Sequence, residues 1–141
     1  MLKAIFLLFM VLPFIEGAES EPVLEDYNSI IQLCIDIENL NEVYLLRELQ
    51  EDPLYVLENE NLPAEVSASK FGKPVVFASK AKLFYLKKLD DYMEFDSITI
   101  SENRATVTFH YLARFRAKRK FELELNKRKG QWMVSKVQAL E

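Results

Sequence analysis

The chain between Tyr92 and Leu140 has the most regular pattern of apolar and polar positions. Apolar residues alternate with polar ones in three successive runs, residues 98–100, 105–111 and 121–125, and Trp132-Met133-Val134 opens a fourth run. A period of two residues is typical of a half-buried strand, and Ser101-Glu102-Asn103 and Lys129-Gly130 can form turns between the runs. We therefore predict four long antiparallel strands with one apolar face, which the earlier part of the chain must cover.

The residues before Tyr92 predict three helices and two short strands. Apolar positions in residues 24–37 form one wide stripe, which is typical of a helix that packs against a sheet. Asn41 can cap a second helix over residues 42–50, with a strand as the alternative, and Ser79 can cap a third over residues 80–89. The short apolar run at residues 54–57 predicts an edge strand, and the run at residues 75–77 predicts a second short strand. A loop over residues 58–72 separates them.

The first 17 residues have the features of a signal peptide. Lys3 precedes an apolar run over residues 4–15 that is too short to span a bilayer. Gly17 and Ala18 supply small residues for cleavage, and the alternative is a buried N-terminal strand or helix. We therefore expect an exported protein, periplasmic or secreted, with a single mature domain over residues 18–141.

Charge is distributed unevenly along the chain, although the formal net charge is only -4. Residues 18–69 contain thirteen acidic residues and one basic residue, whereas residues 70–141 contain sixteen basic and eight acidic residues. Opposite charges attract, so we expect the acidic part to pack near the basic sheet. Salt screens such attraction over about 8 Å, so it guides association more than it stabilises the fold.

The single cysteine and single histidine exclude two kinds of site. Cys34 has no partner for an internal disulfide, and we expect it to be a small buried residue of the first helix. One Cys and one His cannot supply the tetrad of a structural zinc site. The three glycines are isolated, so the sequence contains no Gly-rich phosphate loop. We therefore predict no metal site and no cofactor.

The order of the predicted elements resembles the NTF2-like, cystatin-like superfamily. The resemblance lies in the helix over residues 24–37, the alternating run 105–109 and the C-terminal residues 130–134. Residues 72–77 also resemble small exported proteins of uncharacterised function from Bacteroidetes-type bacteria. The resemblance implies an α+β fold in which a curved antiparallel sheet, with four long C-terminal strands and two short ones, wraps around an N-terminal helix as a cone. The superfamily includes enzymes with acid/base residues inside the cone and proteins that only bind ligands or partners.

Three residues are candidates for acid/base chemistry. Histidine is the side chain whose ordinary pKa lies near neutrality, and His110 is the only one. Strand alternation places it on the polar face, so we expect an exposed or interface histidine, with a catalytic base as the alternative. Asp36 and Tyr27 lie on the helix that should fill the cone, where such a pair can transfer protons in an isomerase or dehydratase. The competing interpretation is a solvated Asp36 and a core Tyr27.

A run of cations at residues 114–120 is the strongest local signal. In a strand, Arg114, Arg116, Lys118 and Lys120 would project from one face and could bind an anionic polymer, an acidic lipid headgroup or an acidic protein surface. Three alternatives compete with this interpretation. The run could be a solvated hairpin, a charged edge that resists aggregation, or the partner of the acidic N-terminal half.

Together these features favour an exported binding or interaction domain over an enzyme, with an unknown small molecule or protein as its partner. Tyr27, Tyr111 and Trp132 are candidates to line a cavity between sheet and helices, and the outer sheet face is a candidate homodimer contact. The alternatives are a small cavity enzyme and an electrostatic adaptor that uses the cationic run. We expect no transmembrane segment, and the acidic composition and export argue against nucleic acid.

Overall fold

The computed structural model of the chain describes residues 21–44, 52–113 and 118–140. Its helices and strands follow in this order: α1 Leu24–Ile35, a short 3-10 helix Glu38–Leu40, β1 Tyr55–Leu57, β2 Ser69–Lys70, β3 Lys73–Pro74, β4 Val76–Ala78, α2 Lys80–Tyr85, β5 Tyr92–Ile100, β6 Arg104–Leu112, β7 Arg119–Arg128 and β8 Gln131–Leu140. Residues 41–44 are helical, and the rest of the predicted second helix lies outside the described residues. The predicted signal peptide, residues 1–17, also lies outside them.

The fold is α+β, with a six-stranded sheet in the order β4-β1-β5-β6-β7-β8. Strands β5 to β8 pair antiparallel with their neighbours, as the alternation predicts. The prediction for residues 54–57 was wrong in one respect, because β1 is not at the edge but runs parallel to both β4 and β5. Parallel pairing needs a long crossover, and residues 58–75 provide it by carrying the chain through the β2–β3 hairpin before β4. The sheet is therefore mixed rather than wholly antiparallel.

The two faces of the sheet contact different parts of the chain. The face that we call inner carries Phe95, Val107 and Leu123, and these belong to one core with the buried α1 residues Ile31 and Cys34. The expectation that Cys34 is a small buried residue of the first helix is confirmed, and burial raises the pKa of its thiol. The opposite, outer face has a smaller apolar cluster in which Leu83 of α2 packs with Tyr55 and Ala78.

Within residues 21–44, 52–113 and 118–140, four ion pairs join the acidic first part of the chain to the basic second part. They are Asp26–Lys127 at 3.0 Å, Asp36–Lys70 at 2.9 Å, Asp52–Lys88 at 2.8 Å and Glu42–Arg119 at 3.9 Å. Each takes its acid from residues 18–69 and its base from residues 70–141, as the charge distribution predicts. Asp26 is the most enclosed of the four acids, with 14% of its side chain exposed. Only that pair is sheltered enough for a large contribution to stability.

Helix α2 is shorter than the sequence predicts. Its start is as expected, because the Ser79 hydroxyl accepts a hydrogen bond from the Lys82 amide at 3.2 Å. It ends at Tyr85 rather than Leu89, since Lys87 adopts a left-handed backbone with φ 59°. The amides of Lys87 and Lys88 then donate back to the carbonyls of Phe84 and Leu83, respectively, which is the hydrogen-bond pattern of a Schellman motif.

In the part of the chain that the structure describes, neither α2 nor any other helix has the length and apolar character to cross a bilayer.

The β7–β8 hairpin turns through two residues with positive φ, Lys129 at 51° and Gly130 at 76°. Such two-residue turns favour Asn-Gly, because Asn tolerates the left-handed region better than Lys. We expect Lys129→Asn to raise the free energy of unfolding by about 0.5–1 kcal/mol. Urea denaturation of both proteins, followed by circular dichroism, measures the difference.

Gly130→Ala provides a control of opposite sign at the same turn. A Cβ at this position meets no atom within 4 Å, so the only cost of alanine is its positive φ, about 1 kcal/mol. Equal effects of the two substitutions would show that backbone conformation does not govern this turn.

Candidate functional site

Glu94, Asp96 and His110 meet on the outer face, where β5 pairs with β6. The His110 ring nitrogen Nδ1 lies 3.0 and 2.9 Å from the two carboxylate oxygens of Asp96. Its Nε2 lies 3.5 Å from Oε1 of Glu94. One potential ligand atom from each residue falls within 4.8 Å of the others. We call these three residues the His110 cluster.

A β-bulge positions Asp96 in the cluster. Phe95 pairs with Phe109 and Ser97 pairs with Thr108, so Asp96 is an extra residue in β5 without a cross-strand partner. Bulges commonly redirect one side chain and break the ladder locally. The freed carbonyls are held from outside the sheet, because the Asn61 side-chain amide donates to the carbonyls of Phe95 and Asp96 at 3.0 Å each. The loop after β1 therefore fixes the backbone that presents Asp96.

His110 lies on the predicted face, but the expectation that it is exposed was wrong. It is the neighbour of Glu94 on β5 and of Lys120 on β7, and only 6% of the residue is exposed. The flanking side chains enclose the ring, and Asp96 fixes its orientation. A carboxylate that holds one ring nitrogen determines which tautomer the imidazole adopts.

The cluster has the donor atoms of a divalent-cation site. Imidazole nitrogen and carboxylate oxygen together suit zinc and other divalent first-row metals. Glu94 and Asp96 remain accessible, with 27% and 30% of their side chains exposed. Lys120 is the one cationic cross-strand neighbour of His110 in the described part of the sheet, and its charge opposes cation binding.

Tyr92 reports the electrostatic character of this region. Its hydroxyl has a raised pKa, first because burial disfavours the phenolate and then because the negative charges of Glu94 and Asp96 repel it. The residue precedes Glu94 by two positions on β5 and also packs against the α2 cluster. The field at this end of β5 is therefore negative, which favours a cation.

The structure places Asp36 and Tyr27 in different surroundings. Asp36 lies at the C-terminal end of α1 with 46% of its side chain exposed, and it binds Lys70 and the Gln32 amide at 2.9 Å each. Tyr27 packs against the main core. The proton-transfer pair predicted from the sequence thus consists of one solvated and one core-facing residue.

Tyr111 and Trp132 belong to the core. The Tyr111 ring is 1% exposed, and its hydroxyl donates to Asp91 at 2.6 Å. Trp132 is 8% exposed and donates its indole N–H to Asp26 at 2.9 Å. Three open surface clefts have volumes of about 320, 430 and 550 Å³, and none of these three is lined by Tyr27, Tyr111 or Trp132.

Half of the predicted anion site falls in the described residues. Arg114 and Arg116 lie outside them. Lys118 and Lys120 line the cleft of about 430 Å³ together with Arg119, but Glu38 and Glu42 line it as well. Acidic side chains at the same cleft offset the cations and weaken it as an anion site.

Sequence reasoning named His110 but missed its two partners. The Glu-x-Asp spacing on a strand beside the strand of the only histidine was the available signal. The bulge that brings Asp96 to the ring has no signature of its own in that pattern. Searches of protein-family models, of curated proteins and of solved structures each found no match to the chain.

Proposed function

We propose that the protein is a small binding domain that holds a divalent first-row metal ion at the His110 cluster. The observation that carries this proposal is the convergence of one imidazole and two carboxylates within 4.8 Å on adjacent strands. Two anionic ligands and one neutral ligand match a dication, and rigid strands hold the donors better than loops do. The two carboxylates are accessible, so solvent or a second ligand can complete the coordination.

Two coordination modes fit the cluster. The ion can bind Nε2 of His110 together with Glu94, in which case Asp96 keeps its contact with Nδ1 and orients the ring. A carboxylate on the remote nitrogen is the usual support of a metal-binding histidine. Alternatively the ion binds Nδ1 and inserts between His110 and Asp96. In the first mode Asp96→Asn weakens binding by about 10–100-fold, and in the second it removes a ligand and costs as much as the loss of His110.

Titration of the untagged full chain with Zn²⁺, followed by calorimetry, tests the proposal. We expect one saturable site per chain, and we expect His110→Gln and Glu94→Gln each to weaken it by about 100-fold or more. Circular dichroism of each variant confirms that the fold is kept. Absence of saturable binding of Zn²⁺, Co²⁺ and Mn²⁺, or equal binding by the folded Glu94→Gln variant, would contradict the proposal.

Two further variants separate site chemistry from general surface charge. Lys120→Gln removes the opposing cation beside His110, and we expect it to tighten Zn²⁺ binding by about tenfold. Glu122→Gln removes a carboxylate from the same face, opposite Thr108 rather than His110, and we expect a change of less than about threefold. An equal loss with Glu122→Gln and Glu94→Gln would indicate nonspecific attraction.

We also propose that the protein is exported, to the periplasm or the medium, and that its sheet curves around α1 in the NTF2-like manner. The support for export is the charge and hydropathy pattern of residues 1–17. The support for the NTF2-like likeness is the element order and the shared core of α1 and the inner sheet face. A homodimer through the outer face remains a proposal, supported by Met133, which is 57% exposed on β8.

A further inference from the structure

Helix α2 and the residues just after it expose bulky apolar side chains between lysines. Phe84 and Tyr85 are 71% and 84% exposed, and Leu86 is 36% exposed. We call this region the α2 surface, and it comprises Lys80, Lys82, Phe84, Tyr85, Leu86 and Lys87. Single exposed apolar residues are ordinary, but adjacent exposed aromatic residues are a recognition feature.

The fold holds the α2 surface outward. Leu83 is fully buried beneath the helix, with Tyr55 and Ala78 under it. Residues on either side of one buried position on a helix project away from the surface below. The left-handed residue Lys87 then ends the helix and turns the chain back to the sheet. The exposed aromatic residues therefore sit on an anchored element rather than on a chain end.

The charge of the α2 surface is uniformly positive. Residues 80–88 contain four lysines and no acidic residue. Lys88 pairs with Asp52 at 2.8 Å, whereas Lys80, Lys82 and Lys87 form no ion pair with another residue in the described part of the chain. The nearest acids in the sequence are Asp90 and Asp91, and Asp91 is engaged by the Tyr111 hydroxyl.

This combination fits an anionic bilayer better than a protein partner. Lysine is depleted at protein interfaces relative to the rest of the surface. Aromatic side chains are instead enriched at the level of lipid headgroups, and lysines beside them strengthen binding to anionic lipid by about fivefold each. The α2 surface has both features.

We propose that the α2 surface docks the protein on anionic membranes. Phe84 and Tyr85 enter the headgroup region, and Lys80, Lys82 and Lys87 lie over the anionic headgroups. The interaction is peripheral and reversible, because a short helix buries little apolar area in the bilayer. It does not depend on the metal proposal, so chelation of metal with EDTA leaves docking unchanged.

Flotation with lipid vesicles tests this proposal on the predicted mature chain, residues 18–141, so that the apolar run at residues 4–15 does not contribute to lipid binding. The probe is vesicles of equal parts phosphatidylcholine and phosphatidylglycerol, compared with vesicles of phosphatidylcholine alone. We expect binding only to the anionic vesicles, and loss of binding as salt rises. The double variant Phe84→Ser/Tyr85→Ser should bind at least about tenfold more weakly, and the triple variant Lys80→Gln/Lys82→Gln/Lys87→Gln about 100-fold more weakly.

Matched controls come from the other end of the sheet. Val137→Ser removes an exposed apolar side chain and Lys136→Gln an exposed lysine, both on β8. We expect neither to change flotation by more than about twofold. Urea denaturation verifies that each variant is folded. Failure of the folded wild type to float with anionic vesicles, or equal flotation of wild type and the double variant, would overturn the proposal.

Discussion

Replacing Phe109 with Ala is expected to lower the free energy of unfolding by about 3–5 kcal/mol. Phe109 is fully buried at the centre of the inner face. Its ring lies 5.5 Å from that of Phe95 on β5 and 5.6 Å from that of Phe121 on β7, measured between centroids. Truncation therefore leaves a cavity between three strands and removes two aromatic contacts. A loss of this size is a large part of the stability of a domain of this length.

Urea denaturation monitored by circular dichroism measures this change, with Phe84→Ala as the control. The control removes the same atoms from a residue that is 71% exposed, and surface substitutions usually change stability by less than about 0.5 kcal/mol. If the two variants lost similar stability, the inner face would not be a packed core.

Replacing Asp26 with Ala is expected to lower the free energy of unfolding by about 2–4 kcal/mol. One carboxylate oxygen accepts hydrogen bonds from the Lys127 ammonium at 3.0 Å and the Trp132 indole at 2.9 Å. The other accepts from the Val23 amide at 3.2 Å. These contacts connect the first turn of α1 to the β7–β8 hairpin. The substitution removes this link and leaves the buried indole N–H of Trp132 unpaired.

The contribution of Asp26 depends on pH in a defined direction. Burial acts to raise its pKa, but hydrogen bonds from Trp132, Lys127 and Val23 outweigh it and hold the pKa below the ordinary value of 3.8. The unfolded chain then takes up the proton first as pH falls, so acid favours unfolding. The difference between wild type and Asp26→Ala should be full at neutral pH. It should shrink as pH drops below 3.8 and through the lowered pKa.

Asp36→Ala is the matched control for Asp26→Ala. It removes the acid of another α1 ion pair, but 46% of its side chain is exposed. Exposed pairs contribute about 0–1 kcal/mol. Unfolding curves for the two variants over a range of pH compare them, and equal losses at neutral pH would show that Asp26 does not anchor the helix.

The sequence predicted those features of the fold that depend on residues close together in the chain, namely the buried face of a strand and the extent of a helix. The alternation at residues 105–111 sets which side chains of β6 face the core, because one apolar face must be buried. The predicted first helix, residues 24–37, ends two residues beyond Ile35, the last residue of α1. Its stripe also identified the buried positions Ile30, Ile31 and Cys34.

The failures concern features that depend on pairing between distant segments. The polar residues after Leu57 suggested that residues 54–57 form an edge strand. The position of β1 in the sheet depends instead on β4, which pairs with β1 and takes the edge. His110 was expected to be exposed because strand alternation places it on the same face as the polar residues Thr106 and Thr108. Its burial depends on Glu94, Asp96 and Lys120, which belong to other strands. The candidate site could therefore not be predicted from any single segment of the sequence.

The bulge at Asp96 allows the sheet to gain or lose this carboxylate without disturbing the core. Phe95 faces the inner side opposite Phe109, and Ser97 faces the outer side opposite Thr108. Deletion of Asp96 would leave these two pairs in ordinary register, so every inner-facing side chain would keep its place. One codon thus separates a plain structural sheet from one that carries the His110 cluster.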